Sequence, residues 1–64
     1  MKSSNEILRL PQTIAKTGLS RSTIYGLIAA GQFPKQVKLS RRTIGFIKSE
    51  IDDWIAERAN TRTE

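Results

Sequence analysis

The chain has 64 residues, of which eleven are Lys or Arg and six are Asp or Glu, so its net charge at pH 7 is +5. It contains no cysteine and no histidine, which excludes a disulfide or thiolate metal site and removes the commonest general base and metal ligand. A chain of this size has room for one small domain with a marginal core, and its apolar runs are too short to span a membrane.

The first predicted elements are a short extended segment and a short helix. Residues 8–10 (LRL) suit either a short strand or an extended lead-in. Pro11 suits the first position of a helix, because its missing N–H is not needed there, and the helix is predicted to run to about Thr17 with Ile14 facing inward. Gly18 is predicted to end it, since glycine tolerates the left-handed conformation that is common at helix C-termini.

The second helix is marked more clearly. Ser20 is predicted to be its N-cap, with Leu19 packing onto Ile24 as a hydrophobic staple. An apolar stripe with spacing i, i+3, i+4 starts at Ile24, and Gly31 is predicted to stop the helix. The opposite, exposed face is predicted to consist of Arg21, Ser22, Tyr25 and Ala29.

A basic hairpin is predicted after the second helix. Residues 35–39 (KQVKL) alternate between polar and apolar, which predicts a strand with Val37 and Leu39 on one face. Residues 40–42 (SRR) are predicted to be the turn, and residues 43–47 (TIGFI) the returning strand. The turn contains neither Asn-Gly nor Asp-Gly, so the sequence leaves its type open.

The third helix is predicted to start at Ser49, with Asp52 three residues later in the manner of a capping box. Acids in its first turn suit the positive end of the helix dipole, so they have a structural explanation and receive no catalytic role. The predicted buried stripe consists of Ile51, Trp54, Ile55 and Ala59. Trp54, Phe33 and Phe46 are therefore predicted to be core residues rather than platforms for base stacking.

These elements predict a mainly α fold with a small β-hairpin (α+β): a winged helix-turn-helix of three helices and a two-stranded wing. Two short helices joined by a tight turn, the second capped and polar on its outer face, match the helix-turn-helix plan. The domain is predicted to cover residues 7–59. The polar segments 1–6 and 60–64 are predicted to be flexible ends.

The distribution of charge indicates a polyanionic partner. Residues 7–49 contain eight Lys or Arg and no Asp or Glu, whereas residues 50–64 contain five acids against two arginines. Eight like charges repel one another in a compact fold, so a nucleic-acid partner is favoured over a basic surface that is merely solvated. The eight cations are Arg9, Lys16, Arg21, Lys35, Lys38, Arg41, Arg42 and Lys48.

The second helix is the predicted recognition helix, because in a helix-turn-helix this element lies in the major groove and its N-terminal residues reach base edges. Arg21 suits guanine recognition or phosphate positioning, and the sequence leaves both open. Tyr25 is equally consistent with a DNA contact and with a half-buried ring that covers the core, and an inward orientation of Thr23 also stays open. The candidate DNA-binding residues of this helix are Ser20, Arg21, Ser22, Thr23 and Tyr25.

The hairpin is the second predicted contact. Arg41 and Arg42 at its tip suit a narrow minor groove or the flanking backbone, and the lysines before them suit the approach to phosphates. An arginine-rich turn alone is weak evidence, but here it coincides with a capped helix-turn-helix and an acid-free stretch. The candidate wing residues are Lys35, Lys38, Ser40, Arg41 and Arg42.

Three segments carry a family resemblance: TGLSRSTIY, GQFPKQVKLSRR and SEIDDWIAER. Through them, residues 9–58 resemble the AlpA family of prophage regulatory proteins. The resemblance implies a winged helix-turn-helix related to the excisionase and MerR-like fold, with the second helix as recognition helix, and a bacterial transcriptional regulator associated with a prophage or genomic island. The chain departs from the pattern at Gly26, where similar proteins commonly carry a basic residue.

The predicted function is sequence-specific binding of duplex DNA by a transcriptional regulator. Two alternatives stay open: an excisionase-like recombination directionality factor that bends DNA, and a basic regulator that binds an acidic protein. No enzyme, cofactor or small-molecule ligand is expected, because no catalytic pair or metal cluster can be assembled from these residues. We expect a monomer or weak self-association on repeated sites. The N-terminus lacks the apolar stretch of a signal peptide, so a cytoplasmic, nucleoid-associated bacterial protein is expected.

Overall fold

The computed structural model describes residues 6–61 of the chain. Its elements are β1 (Ile7–Arg9), α1 (Leu10–Thr17), α2 (Arg21–Ala29), β2 (Val37–Ser40), β3 (Thr43–Ile47) and α3 (Lys48–Asn60). Three helices and a small antiparallel sheet confirm the predicted α+β winged fold. The predicted flexible ends fall for most of their length on residues 1–5 and 62–64, outside the described residues. Within the described residues, no helix is long and apolar enough to cross a membrane.

The hairpin belongs to a three-stranded antiparallel sheet in which the strand order is β1-β3-β2. β2 pairs with one edge of β3, as predicted, and β1 pairs with the other edge, where Leu8 lies opposite Phe46. The segment before the first helix is therefore a strand, because it pairs with an edge of β3 that the prediction had left open. Helix α1 begins directly after β1, so the sheet also anchors the start of the helix-turn-helix.

Helices α1 and α2, with the three residues between them, form the helix-turn-helix. Gly18 ends α1 as predicted: its φ is 75°, and its N–H donates to the Ile14 carbonyl oxygen at 2.8 Å. Ser20 caps α2 as predicted, since its Oγ accepts from the Thr23 N–H at 3.2 Å. Both ends of the turn are thus defined by the residues that the sequence indicated.

The core receives at least one residue from every helix. Its buried apolar residues are Leu8, Leu10, Ile24, Phe33, Phe46 and Ile51. The ring of Phe33 packs edge-on against Phe46, with centroids 5.5 Å apart, and against Trp54 at 4.9 Å. The Trp54 indole N–H donates to the Gln32 carbonyl oxygen at 2.9 Å, so its polar edge is satisfied where it packs. The predicted core roles of Phe33 and Phe46 are confirmed, and Trp54 is partly buried and packs against the core.

The last turn of α3 differs from the prediction. Ala59 is exposed, as is every residue from Ala56 to Thr61. The predicted burial of Ala59 is therefore wrong, because α3 extends beyond the packed core at its C-terminal end.

The extent of the first wing strand also differs from the prediction. β2 starts at Val37 rather than at Lys35, because Phe33 is anchored in the core and the chain reaches the edge of β3 only afterwards. Ser40 is the last residue of β2 and not part of the turn. The turn itself consists of Arg41 and Arg42.

A bulge interrupts the alternation of β2. Lys38 lies opposite Ile44 and Ser40 lies opposite Thr43, so Leu39 is an extra residue in this strand. An extra residue breaks the two-residue alternation of a strand. The bulge departs from the regular strand predicted for this segment, and Leu39 is 43% exposed.

Helix α3 starts two residues earlier than predicted and without the predicted cap. Lys48 is its first residue, and the N-cap position is held by Ile47, whose side chain makes no capping bond. The Lys48 N–H donates to the Glu6 carbonyl oxygen at 2.8 Å, so a backbone group from outside the helix satisfies it. The prediction of Ser49 as N-cap with Asp52 completing a capping box is wrong. The Asp52 carboxylate instead accepts from Lys48 Nζ at 3.0 Å.

Candidate nucleic-acid interface

Helix α2 presents a polar N-terminal turn to the outside. Ile24 is fully buried, while Arg21, Ser22 and Tyr25 are exposed. The exposed fraction of Tyr25 is 41%, so its ring is accessible along one side. The predicted exposed face is confirmed. Thr23 is exposed as well, so it does not face inward.

The hydroxyl groups at the start of α2 bond to one another. Ser20 Oγ accepts from the Thr23 N–H and donates to Thr23 Oγ1 at 2.9 Å. Ser22 Oγ lies 3.4 Å from Ser20 Oγ, at the long limit for a hydrogen bond. Ser20 and Thr23 therefore serve the cap. Within residues 6–61, no hydrogen bond or ion pair engages the guanidinium of Arg21 or the hydroxyl of Tyr25.

The end of the hairpin brings four of the five predicted wing residues together. Arg41 and Arg42 form the turn, and both are exposed. Lys38 and Ser40 lie on β2 within three residues of the turn and are also exposed. Three cations and a hydroxyl thus occupy one end of the hairpin, which we call the wing tip (residues 38–42).

Lys35 lies apart from the wing tip, in the connection between α2 and β2. It lines an open groove together with Glu50, Asp53 and Glu57 of α3. Carboxylates on the same groove attract the lysine and repel a phosphate. The surroundings of Lys35 therefore favour a DNA contact less than those of the other predicted wing residues.

Asp52 pairs with two cations of the acid-free stretch. Its carboxylate oxygens lie 3.1 Å from Lys16 Nζ and 3.0 Å from Lys48 Nζ. The hydrogen bond from Lys48, followed by that from Lys16, lowers the pKa of Asp52 below its ordinary value. The hydrogen bond to Asp52 raises the pKa of Lys48. Both lysines belong to the acid-free stretch of the sequence, and their pairing with Asp52 is not among the predictions made from it. The i, i+4 spacing of Lys48 and Asp52 was the one signal that could have revealed part of it.

The remaining cations of residues 7–49 have no ion-pair partner within the described part of the chain. Cations without an ion-pair partner leave their field available to a ligand, so the basic character predicted from the sequence persists in the fold. Three of these cations lie at the wing tip, and Arg21 lies at the start of α2. These cations are Arg9, Arg21, Lys35, Lys38, Arg41 and Arg42.

No group of three or more metal-ligating side chains occurs among the described residues. What the fold presents is a capped second helix with a polar outer turn, next in the chain to a basic hairpin. This arrangement defines the class of winged helix-turn-helix proteins. The chain belongs to the family described as prophage CP4-57 regulatory protein (AlpA), whose sequence model matches residues 6–59. The family indicated by the three segments is confirmed, and it is a family of regulators rather than of enzymes.

Two relatives show how far this similarity extends. The chain is 40% identical over 63 residues to a protein of Escherichia coli (strain K12) named DNA-binding transcriptional activator AlpA, covering 89% of this chain and 90% of that protein. It is 47% identical over 51 residues to uncharacterized protein ORF88 of Enterobacteria phage P4, covering 80% of this chain. The chain spans only 58% of the length of the phage protein.

Proposed function

We propose that the chain is a prophage-type transcriptional regulator that binds duplex DNA sequence-specifically, with α2 in the major groove and the wing tip on the backbone or minor groove. The observation that carries this proposal is the exposed N-terminal half of α2. There Arg21 and Tyr25 have no hydrogen-bond or ion-pair partner within residues 6–61, and Ser20 caps the helix. The E. coli relative, named a DNA-binding transcriptional activator, supports the same function.

Helix α2 and the wing tip would contact different parts of the DNA. In the major groove, Arg21 has the fork of donors that suits the O6 and N7 atoms of guanine, Ser22 suits a base edge or a phosphate, and Tyr25 suits a phosphate or a thymine methyl. At the wing tip, Arg41 and Arg42 are long, exposed cations that suit phosphates or a narrow minor groove. Ser20 and Thr23 hold the cap and so orient the first turn of α2.

A protein of this size makes a small contact. A single module typically buries about 600–1,000 Å² against DNA, so tight and selective binding requires two or more copies on repeated sites. We therefore propose that the chain is a monomer, or associates weakly, away from DNA.

The test is fluorescence anisotropy with labelled duplex DNA over a series of salt concentrations. The affinity constant is expected to fall with salt, its logarithm decreasing by about 0.9 per phosphate neutralised for each unit of log salt. Replacing both arginines, Arg41→Ala and Arg42→Ala, should weaken binding and reduce that slope by roughly two units. The matched control is Lys35→Ala, which removes a cation beside carboxylates and should leave the slope nearly unchanged.

A folded chain that binds no duplex DNA even at low salt would contradict the proposal. The unpaired cations would then have to face an acidic protein. If the double arginine variant has the same salt slope as the unaltered chain, the wing tip does not contact DNA. The proposed contact of α2 would be unaffected by that result.

A further inference from the structure

The local structure explains why glycine occurs at three of the four glycine positions. Gly18 and Gly31 have φ values of 75° and 73°, a conformation that side chains disfavour. A Cβ on Gly45 would lie 2.5 Å from Ile7 Cγ2 and 3.0 Å from the Leu8 carbonyl oxygen. Each of these positions therefore requires glycine on grounds that the protein itself supplies.

Gly26 has no such reason. It lies in the interior of α2, where the Ala30 N–H donates to its carbonyl oxygen at 3.0 Å, and its φ is not positive. A Cβ added there would meet no atom within 4 Å apart from its chain neighbours and the adjoining backbone of α2. Because glycine is a poor helix former, an alanine at this position would raise the folding equilibrium constant roughly fivefold. The fold thus carries a glycine that weakens it.

The position of Gly26 on α2 suggests a role in DNA binding rather than in folding. It follows Ile24 by two residues, which is about 200° around the helix, so it faces away from the buried side of α2 and is exposed. Tyr25 precedes it, and Ser22 lies one turn earlier on the same side. Gly26 therefore lies on the exposed side of α2, beside Ser22 on the face that the proposed function puts against the base pairs.

We propose that Gly26 determines how closely α2 approaches the floor of the major groove, and hence how selectively it recognises sequence. This inference rests on the proposed function and assigns a specificity-determining position within the same contact. Without a side chain at Gly26, the helix backbone can come near the base edges, which brings Arg21 and Ser22 within reach of them. A side chain there would hold the helix away. The long side chains of the wing tip could still follow the phosphates, so selectivity would fall more than overall affinity.

The experiment compares Gly26→Ala and Gly26→Leu with the unaltered chain on two probes. One is a duplex selected from a random library by the unaltered chain, and the other is a scrambled duplex of the same length at the same salt. For Gly26→Ala, the preference for the selected duplex should fall about tenfold, which is the size of one mismatched base pair. Gly26→Leu should lose more. Affinity for the scrambled duplex should change little, and Gly26→Ala should melt at a higher temperature than the unaltered chain.

The matched control is the reverse exchange, Ala56→Gly, at an exposed interior position of α3. It should lower the folding equilibrium constant roughly fivefold and leave the preference for the selected duplex unchanged. Alanine and leucine variants that keep the selectivity of the unaltered chain overturn the inference while the proposed function stands. A Gly26→Ala variant less stable than the unaltered chain overturns its premise. A folded unaltered chain without affinity for duplex DNA overturns both the proposed function and the inference.

Discussion

At the scale of single residues, hydrogen bonds from side chains to the backbone define the start of both helices of the helix-turn-helix. The Arg9 N–H donates to Gln12 Oε1 at 2.7 Å, and Thr13 Oγ1 donates to the Arg9 carbonyl oxygen at 3.0 Å. Thr13 is fully buried, and this bond satisfies its hydroxyl there. The cap serine of α2 was predictable because it directly precedes an apolar stripe, whereas nothing local distinguishes a buried threonine from an exposed one.

The cap of α2 leads to a prediction about Ser20→Ala. Losing the Oγ that accepts from the Thr23 N–H should lower the free energy of unfolding by about 1 kcal/mol, as for other N-cap serines. Urea denaturation followed by circular dichroism measures it. Ser22→Ala, in the same exposed turn but without a bond to the backbone, should change stability by less than about 0.5 kcal/mol. Equal losses in the two variants would show that the cap does not stabilise α2.

At the scale of elements, β3 joins the two halves of the molecule. It pairs with β1, which leads into the helix-turn-helix, and with β2, which forms the wing. Gly45 is the residue of β3 that lies opposite both Arg9 and Val37. Close approach of two neighbouring strands at one residue explains why a glycine stands in the middle of this strand.

This packing predicts that Gly45→Ala is destabilising. The new Cβ would lie 2.5 Å from Ile7 Cγ2 and 3.0 Å from the Leu8 carbonyl oxygen. The backbone of β1 would have to shift, at a cost of about 1–3 kcal/mol typical of overpacking. Urea denaturation measures the loss, and faster amide exchange along β1 would locate it.

The same substitution at a different glycine is the control for Gly45→Ala. At Gly26 the added methyl group meets no atom within 4 Å apart from its chain neighbours and the adjoining backbone of α2, so Gly26→Ala should stabilise rather than destabilise. If both variants unfolded at the same urea concentration as the unaltered chain, the close approach of β1 to β3 would be refuted.

At the scale of the whole molecule, Asp52 ties α1 to the start of α3. It binds Lys16 from one element and Lys48 from the other. All three side chains are between 35% and 40% exposed, so solvent and salt screen the pairs and their contribution is modest. One carboxylate offsets the charge of only one of the two lysines, so this cluster adds less to the basic surface than two unpaired lysines would.

The lowered pKa of Asp52 predicts how stability depends on pH. A carboxyl group with a lowered pKa in the folded state stabilises the fold at neutral pH, and this contribution is lost as pH falls below its ordinary value of 3.8 through the lowered one. The melting temperature of the unaltered chain should therefore fall more steeply on acidification than that of Asp52→Asn. At the alkaline end, the raised pKa of Lys48 means that its contribution disappears as pH rises above 10.5.

Thermal melts between pH 2 and pH 7 at low salt test this dependence. Asp53→Asn is the matched control, because Asp53 is adjacent, exposed and without an ion-pair partner within residues 6–61. That variant should keep the acid dependence of the unaltered chain. Identical acid limbs for the Asp52 and Asp53 variants would show that the two lysine pairs do not couple protonation to folding.

The three helices, the hairpin, the family and the exposed face of α2 could all be predicted from the amino-acid sequence. The signals that carried these predictions are short in range: a serine before an apolar stripe, a glycine after one, and a repeat of 3.6 or 2 residues. Gly18 and Ser20 ended one helix and began the next where these signals put them. The DNA contacts of α2 and the wing tip stay predictions.

The tertiary structure alone decided features that join distant parts of the chain. The residues before α1 form a strand because they pair with the free edge of β3. Helix α3 begins at Lys48, whose N–H donates to the Glu6 carbonyl oxygen. The bulge at Leu39 forms where β2 pairs with β3. Lys16 pairs with Asp52, which lies on α3, far from it along the chain. Each of these outcomes depends on which groups meet after folding, and local propensities do not encode that.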